Sequence, residues 1–196
     1  MTFKLKETKK ELRDAALLKR SAIPSDIRRE YSSKICSTIM SLASYRHSDI
    51  ILAYYPMNSE VDIKPLILSA LSLGKRIALP CCHRDEKCMH FSFISSLDGL
   101  CKGKYSIPEP PSDAPVYQTS DMHSSLMIIP ALLYDKKGYR IGYGGGYYDR
   151  FIRDYHGATA GLVFSEFVVD SLPVGKFDIS VDYIVTERGV KIVEKA

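Results

Sequence analysis

The sequence has no tryptophan, no apolar stretch near the ~20 residues needed to cross a bilayer, and too few cysteines for a disulfide scaffold. Its longest apolar runs, residues 50–57 and 126–134, exclude a helical integral membrane protein. The opening MTFKLKETKK carries charge where a secretory leader has an apolar core. Five cysteines, at 36, 81, 82, 88 and 101, are odd in number and scattered, which suits free thiols in a reducing compartment. The expectation is a soluble cytoplasmic protein. With 12 Gly, 10 Pro, 45% hydrophobic and 26% charged residues, collagen-like and disordered classes are also excluded. At 196 residues, roughly 70% of the unfolded surface can be buried, so a single domain over 1–196 needs no staple.

A strong charge of one sign is missing too. The 27 Lys/Arg face 23 Asp/Glu, and the whole excess of four sits in residues 1–20. There Lys4, Lys6, Lys9, Lys10, Arg13, Lys19 and Arg20 oppose Glu7, Glu11 and Asp14. So local a patch suits a small anionic ligand, not a nucleic acid, and no nucleic-acid motif accompanies it. No apolar stripe is left over for a partner, so a monomer is expected.

What is present is an alternation of helical and strand patterns. Residues 3–21 contain no Gly or Pro, and Leu5, Leu12, Ala15, Ala16 and Leu18 form a loose apolar face, which predicts a helix. Pro24-Ser25 starts a second helix reaching about residue 43, with Ile27, Tyr31, Ile35, Ile39 and Leu42 as its stripe. The continuous apolar run 50–55 reads as a strand covered on both faces, ended by Pro56. A helix over 62–73 stops at Gly74. Strands are expected at 76–79, stopped by Pro80, at 89–94 and at 126–129. The proline-containing stretch 97–123 reads as a long surface connection. A glycine-rich turn at 142–146 leads into a short helix to about 155. A strand follows at 159–164, and 183–186 with 190–193 form a closing hairpin. Such alternation predicts an α/β domain with a mainly parallel sheet and helices on both faces.

The sharpest motif is RIGYGGGYYDR, Arg140–Arg150, with four glycines in five residues. Backbone without Cβ atoms can approach a ligand and turn its N–H groups toward it, and the following helix start favours an anion. Phosphate is the natural ligand, with Arg140 and Arg150 adding charge and Asp149 placed to hold a phosphate-bound Mg²⁺. Neither common nucleotide loop is present: no Lys-Ser or Lys-Thr follows the glycines, and G-x-G-x-x-G fails at Tyr147. A plain glycine-rich turn is the bland alternative. In the first helix, Lys6/Lys10 and Lys9/Arg13 are i,i+4 pairs whose four cations crowd one side, either around an anion or as a solvated face. The stretch from Tyr55 to Asp62 follows a buried strand, where α/β sheets bind ligands. There Glu60 can accept hydrogen bonds from a polar ring packed by Tyr55 and Met57, or stay solvated while Asp62 caps the next helix. Asp178 and Asp182, four apart, are either metal ligands or loop acids. Cys81-Cys82-His83 with Cys88 and His90 invites a zinc reading, but adjacent cysteines fit zinc spacing poorly.

The motif resembles the signature of the 5-formyltetrahydrofolate cyclo-ligase (5,10-methenyltetrahydrofolate synthetase) family. The resemblance runs along nearly the whole chain, through Lys9-Lys10-Glu11-Leu12-Arg13, Tyr55–Asp62, Ile129-Pro130-Ala131, Asp135-Lys136-x-Gly138, and Asp178-x-x-x-Asp182 followed by Thr186-Glu187. It implies a three-layer α/β/α sandwich. It also implies ATP- and Mg²⁺-dependent closure of 5-formyltetrahydrofolate to 5,10-methenyltetrahydrofolate, with ADP and phosphate released. Lys9, Lys10, Glu11, Leu12 and Arg13 would border ATP, together with Arg140, Ile141, Gly142, Tyr143, Gly144, Gly145, Gly146, Tyr147 and Tyr148. Arg140, Tyr147 and Arg150 would be catalytic, Asp149 and Asp178 would serve the metal, and Tyr55, Met57 and Glu60 would contact the folate. Tyr143 and Gly145 stand where some relatives carry basic residues, and Phe177 where relatives often have His. The competing readings are a sugar-phosphate isomerase or a CoA-transferase of similar architecture, the latter with Glu60 as nucleophile, working without ATP.

Overall fold

A computed structural model describes residues 2–83, 88–103, 106–118 and 124–194, with side chains from residue 5. The chain opens with helix α1 (Thr2–Ser21), whose inward stripe is not the expected apolar face. Leu18 is 75% exposed and Ala15 faces solvent, while Ala16 and Arg20 are buried and Lys9, Leu12 and Arg13 half-buried. Residues 9, 13, 16 and 20 recur at helical spacing, so one stripe carries three cations inward. Of the four cations expected to crowd one side, Lys9 and Arg13 are half-buried, whereas Lys6 and Lys10 are exposed. The Lys4 side chain lies outside the described residues.

Helix α2 (Ser25–Ser41) ends earlier than the stripe suggests, because Leu42 is extended and a separate turn, α3 (Ala43–His47), follows. Ile35 and Ile39 are fully buried. Strand β1 (Ile50–Leu52) is buried throughout. Helix α4 (Lys64–Ser72) starts two residues later than expected, with the Lys64 N–H donating to Asp62 Oδ1 at 3.1 Å.

Strand β2 (Arg76–His83) runs through Pro80 and does not stop there. The Ala53 N–H donates to the Ala78 carbonyl, so Ala78, and by alternation Pro80, face the β1 side. Strand β1 has already ended at that level, so the missing proline N–H costs no ladder bond. Strand β3 (Cys88–Ile94) pairs antiparallel with β2. The connection that follows carries a two-stranded ribbon, β4 (Cys101–Lys102) with β5 (Pro108–Glu109). Residues 104–105 and 119–123 of the expected surface connection lie outside the described residues.

Strand β6 (Ser125–Pro130) is buried on both faces, with Leu126, Met127, Ile128 and Ile129 all at 0% exposure, so layers must cover the sheet on both sides. Next come β7 (Leu133–Asp135) and β8 (Arg140–Ile141), an antiparallel pair. Buried Asp135 shapes their turn: Oδ1 accepts the N–H groups of Lys137 and Tyr139, and Oδ2 accepts that of Leu172. Helix α5 (Tyr147–Ile152) has only six residues. Strand β9 (Ala158–Leu162) follows, then β10 (Val168–Val169) beside β7, and the hairpin of β11 (Tyr183–Thr186) and β12 (Gly189–Ile192).

The main sheet has the order β12-β11-β9-β6-β1-β2-β3. Its five inner strands are parallel and both edge strands antiparallel. The chain builds from β1 outward to β2 and β3, then returns to the other side of β1 with β6. The topological switch point therefore lies between β1 and β6. No described helix is long and apolar enough to cross a membrane.

One glycine of this sheet is sterically obligatory. A Cβ on Gly161 of β9 would lie 2.6 Å from Cε1 of the fully buried Tyr134, whose hydroxyl donates to the Ile129 carbonyl. Gly161→Ala is expected to lower the unfolding free energy by about 1–3 kcal/mol, read as a lower urea midpoint at unchanged slope.

Candidate active site

Past the carboxyl ends of β1 and β6, a narrow cleft lies at the switch point. Val61, Ala131, Leu162 and Phe164 give it apolar walls, and Glu60 and Arg20 are its charged groups. The turn that presents Glu60 is tight. Asn58 takes a left-handed φ of 50°, the Glu60 N–H donates to the Met57 carbonyl, and Glu60 Oε2 accepts the Met57 N–H at 2.9 Å. Burial pushes the Glu60 carboxyl above the ordinary glutamate range, against the pull of the Met57 N–H, Arg20 and the Tyr143 hydroxyl. Tyr54 and Tyr148 lie near enough to be held neutral, first by burial and then by the Glu60 charge.

Arg20 was not among the residues the motifs singled out. It is 2% exposed and satisfies its guanidinium on three segments: Ser59 Oγ at 3.1 Å, the Ala131 carbonyl at 3.2 Å and the Tyr143 hydroxyl at 2.6 Å. The signal that could have found it is helical spacing, since it lies 7 and 11 residues after Arg13 and Lys9 on the same stripe.

The glycine-rich loop lies beside this cleft. Gly144 and Gly146 adopt φ of 93° and 67°, which side chains rarely take. Arg13 holds the loop from α1: its Nε donates to the Gly142 carbonyl at 2.8 Å, and its guanidinium lies against Gly144, where a Cβ would sit 3.1 Å from Nη2. Arg150 donates to the Gly145 carbonyl and stacks on the Tyr147 ring, so it braces the loop from outside. Because α5 is so short, its dipole adds little, and the positive character of the loop comes from these cations and from backbone N–H groups.

Arg140 does not project from the loop as a free cation. Its side chain is 4% exposed and donates to Asp149 Oδ1 at 2.8 Å and to the Ile179 carbonyl at 3.0 Å. Asp149 Oδ1 also accepts the Ile179 N–H, which ties the loop to the 175–182 segment. Asp178 pairs with Lys9 of α1 and accepts the Gly175 N–H. Asp182, by contrast, is a structural carboxylate: its Oδ2 accepts the N–H and hydroxyl of Thr159 at the start of β9. Phe177 points to solvent between Arg153 and Lys176 and takes no part in these contacts.

The structure thus gathers Lys9, Arg13, Glu60, Tyr143, Tyr148, Asp149 and Asp178 around one face. Lys10 and Glu11 are exposed beside it, and Leu12 packs against the core. Tyr55 is half-buried under Lys64, and Met57 contributes its backbone to the Glu60 turn. Of the cysteine–histidine group, His83 and His90 stack at 4.9 Å, with Nε2 and Nδ1 at 2.9 Å. Among the described residues, no three His, Cys, Asp or Glu side chains are grouped as a metal cage. Magnesium needs no such cage when it arrives on phosphates, since one or two carboxylates and waters complete its shell. Asp149 and Asp178 are hard oxygen donors of that kind, each with one oxygen engaged as described.

The sequence model of the 5-formyltetrahydrofolate cyclo-ligase family matches residues 5–187. The solved structure of 5,10-methenyltetrahydrofolate synthetase from Aquifex aeolicus superposes with a TM-score of 0.83 at 31% identity, over 96% of this chain and 94% of that one. The 5-formyltetrahydrofolate cyclo-ligase of Mycolicibacterium smegmatis is 26% identical over 93% of this chain and 96% of its own. That of Escherichia coli K12 is 26% identical over 88% of this chain and 96% of its own. With both sequence and fold shared from the first helix to the last hairpin turn, the chain belongs to the 5-formyltetrahydrofolate cyclo-ligase family of enzymes.

Proposed function

We propose that this chain, as a monomeric single domain, converts 5-formyltetrahydrofolate and ATP to 5,10-methenyltetrahydrofolate, ADP and phosphate. The observation that carries the reading is the cationic stripe of α1. It delivers Lys9 and Arg13 to the edge of the glycine-rich loop and Arg20 to the Glu60 cleft, so an anion site and a ring pocket abut. The formyl oxygen is a poor leaving group. Its attack on the γ-phosphorus expels ADP and leaves an iminium-like formyl phosphate. N10 then adds to that carbon and loses its proton, and the carbon–oxygen bond breaks to release phosphate. Phosphoryl transfer asks mainly for alignment and charge stabilisation. Lys9 and Arg13 meet phosphate oxygens, and the loop 140–148 wraps the nucleotide. Arg140 acts by holding Asp149, while Tyr147 and Arg150 brace the loop. Asp149 and Asp178 would hold Mg²⁺, which supplies charge neutralisation on the triphosphate. Glu60 accepts the ring N–H groups of the folate between Tyr55 and Met57.

The test is the near-ultraviolet absorbance of the methenyl product. A rise is expected when protein, Mg·ATP and 5-formyltetrahydrofolate are all present, and not when any one is left out. Turnover of a sugar phosphate or an acyl-CoA without ATP, and no methenyl product, would overturn the reading.

A further inference from the structure

The side chain of Tyr143 does not stay with the loop that carries it. Its hydroxyl accepts a hydrogen bond from Arg20 Nη2 at 2.6 Å and lies close enough to the Glu60 carboxylate to feel its charge. Arg20, from α1, also holds Ser59 Oγ, next to Glu60 in the same turn, and the Ala131 carbonyl at the end of β6. One buried guanidinium therefore bridges a residue of the nucleotide loop and the turn that carries the carboxylate of the ring pocket.

We propose that Arg20 and Tyr143 form a latch between these two segments, so that nucleotide in the loop and reduced folate in the Glu60 pocket favour each other's binding. The proposal rests on the folate reading of the site. The loop backbone has two left-handed glycines, Gly144 and Gly146, so its closed arrangement carries an ordering cost. A nucleotide that orders the loop also sets Tyr143, and Tyr143 through Arg20 and Ser59 sets the turn that presents Glu60. The folate then meets an oriented acceptor. In the reverse order, a folate held by Glu60 keeps Tyr143 and its loop in place for the nucleotide. Whichever ligand binds first bears the ordering cost for both. Tyr143 is thus a positioning residue, acting through Glu60.

The experiment is a four-sided binding cycle by calorimetry. Affinity for 5-formyltetrahydrofolate is measured with and without a saturating Mg²⁺ complex of a non-hydrolysable ATP analogue, and affinity for the analogue with and without the folate. In the native protein each ligand is expected to tighten the other by about 5-fold or more, and by the same factor in both directions. Tyr143→Phe keeps the ring over Arg20 but removes the hydroxyl, and should bring both factors close to one while each ligand still binds alone. A structural role alone would weaken binding without touching the coupling factor. An unchanged factor in the variant overturns the latch, as does native protein that binds both ligands independently. Native protein that binds no folate at all overturns the reading of the site, and the latch with it.

Discussion

Replacing Asp149 with alanine is expected to remove turnover and to weaken the fold together. Arg140 keeps only 4% of its side chain exposed and loses its one carboxylate partner in the variant. Leaving a buried cation unpaired costs about 3 kcal/mol, the low end of the usual range because Asp149 itself retains 23% exposure. The Ile179 N–H loses its acceptor at the same time, which loosens the 175–182 segment that carries Asp178. Turnover should fall about 100-fold or more, the scale of losing one group that stabilises charge in the transition state. Asp149→Asn separates the two effects. Its amide oxygen still accepts from Arg140 and Ile179, so it should lose less stability than the alanine variant although the guanidinium has no counter-charge, while a neutral ligand serves Mg²⁺ poorly and methenyl formation still collapses. Native turnover in the asparagine variant would remove Asp149 from the metal site and leave it a purely architectural role.

Glu60→Gln is expected to raise the KM for 5-formyltetrahydrofolate by about 10- to 100-fold with a smaller change in kcat. A hydrogen bond to a charged group contributes about 1.5–3 kcal/mol, and this one is made to the bound ring before any bond changes. The pH dependence gives a second readout. Glu60 accepts with both oxygens, and with charge, only when ionised, and burial holds its carboxyl above the ordinary glutamate range. The acid limb of kcat/KM should therefore lie above that range, with activity falling as the pH drops through the raised value. The glutamine profile should lack that limb. On stability the sign is opposite. A raised carboxyl favours the folded state in its protonated form, below the unfolded-state value, and that contribution is lost as pH rises through the folded-state value. A glutamine variant that keeps the acid limb would show that another group controls it.

Both expectations concern residues that stand out in the sequence, yet the pairings they make do not. Asp149 reads as a metal ligand because it follows a glycine-rich turn, but its pairing with Arg140 depends on the loop doubling back so that residues nine apart meet. Glu60 reads as a ring acceptor because it follows a buried strand, but the burial that raises its affinity for protons, and the opposing pull of Arg20 and Tyr143 arriving from 40 residues before and 83 after, come only with the fold. Lys9 and Asp178 lie 169 positions apart and pair through the packing of the first helix against the penultimate loop. Arg20 was hidden because a cation near a helix end reads as solvated, whereas burial of its neighbours carries it into the cleft.

The sequence by itself determined the parallel α/β architecture, because continuous apolar runs such as 50–55 and 126–129 demand cover on both faces. It also marked the glycine-rich loop, where four glycines between two arginines allow the left-handed backbone that Gly144 and Gly146 take. Only the tertiary structure decided the strand length around Pro80, since a missing N–H is harmless only where no neighbouring strand faces it. Only the tertiary structure decided, too, which of the described amino-terminal cations turn inward. Helical periodicity orders side chains around an axis, but the side that becomes the inside depends on which strands and loops the helix meets, and those come from the other end of the chain.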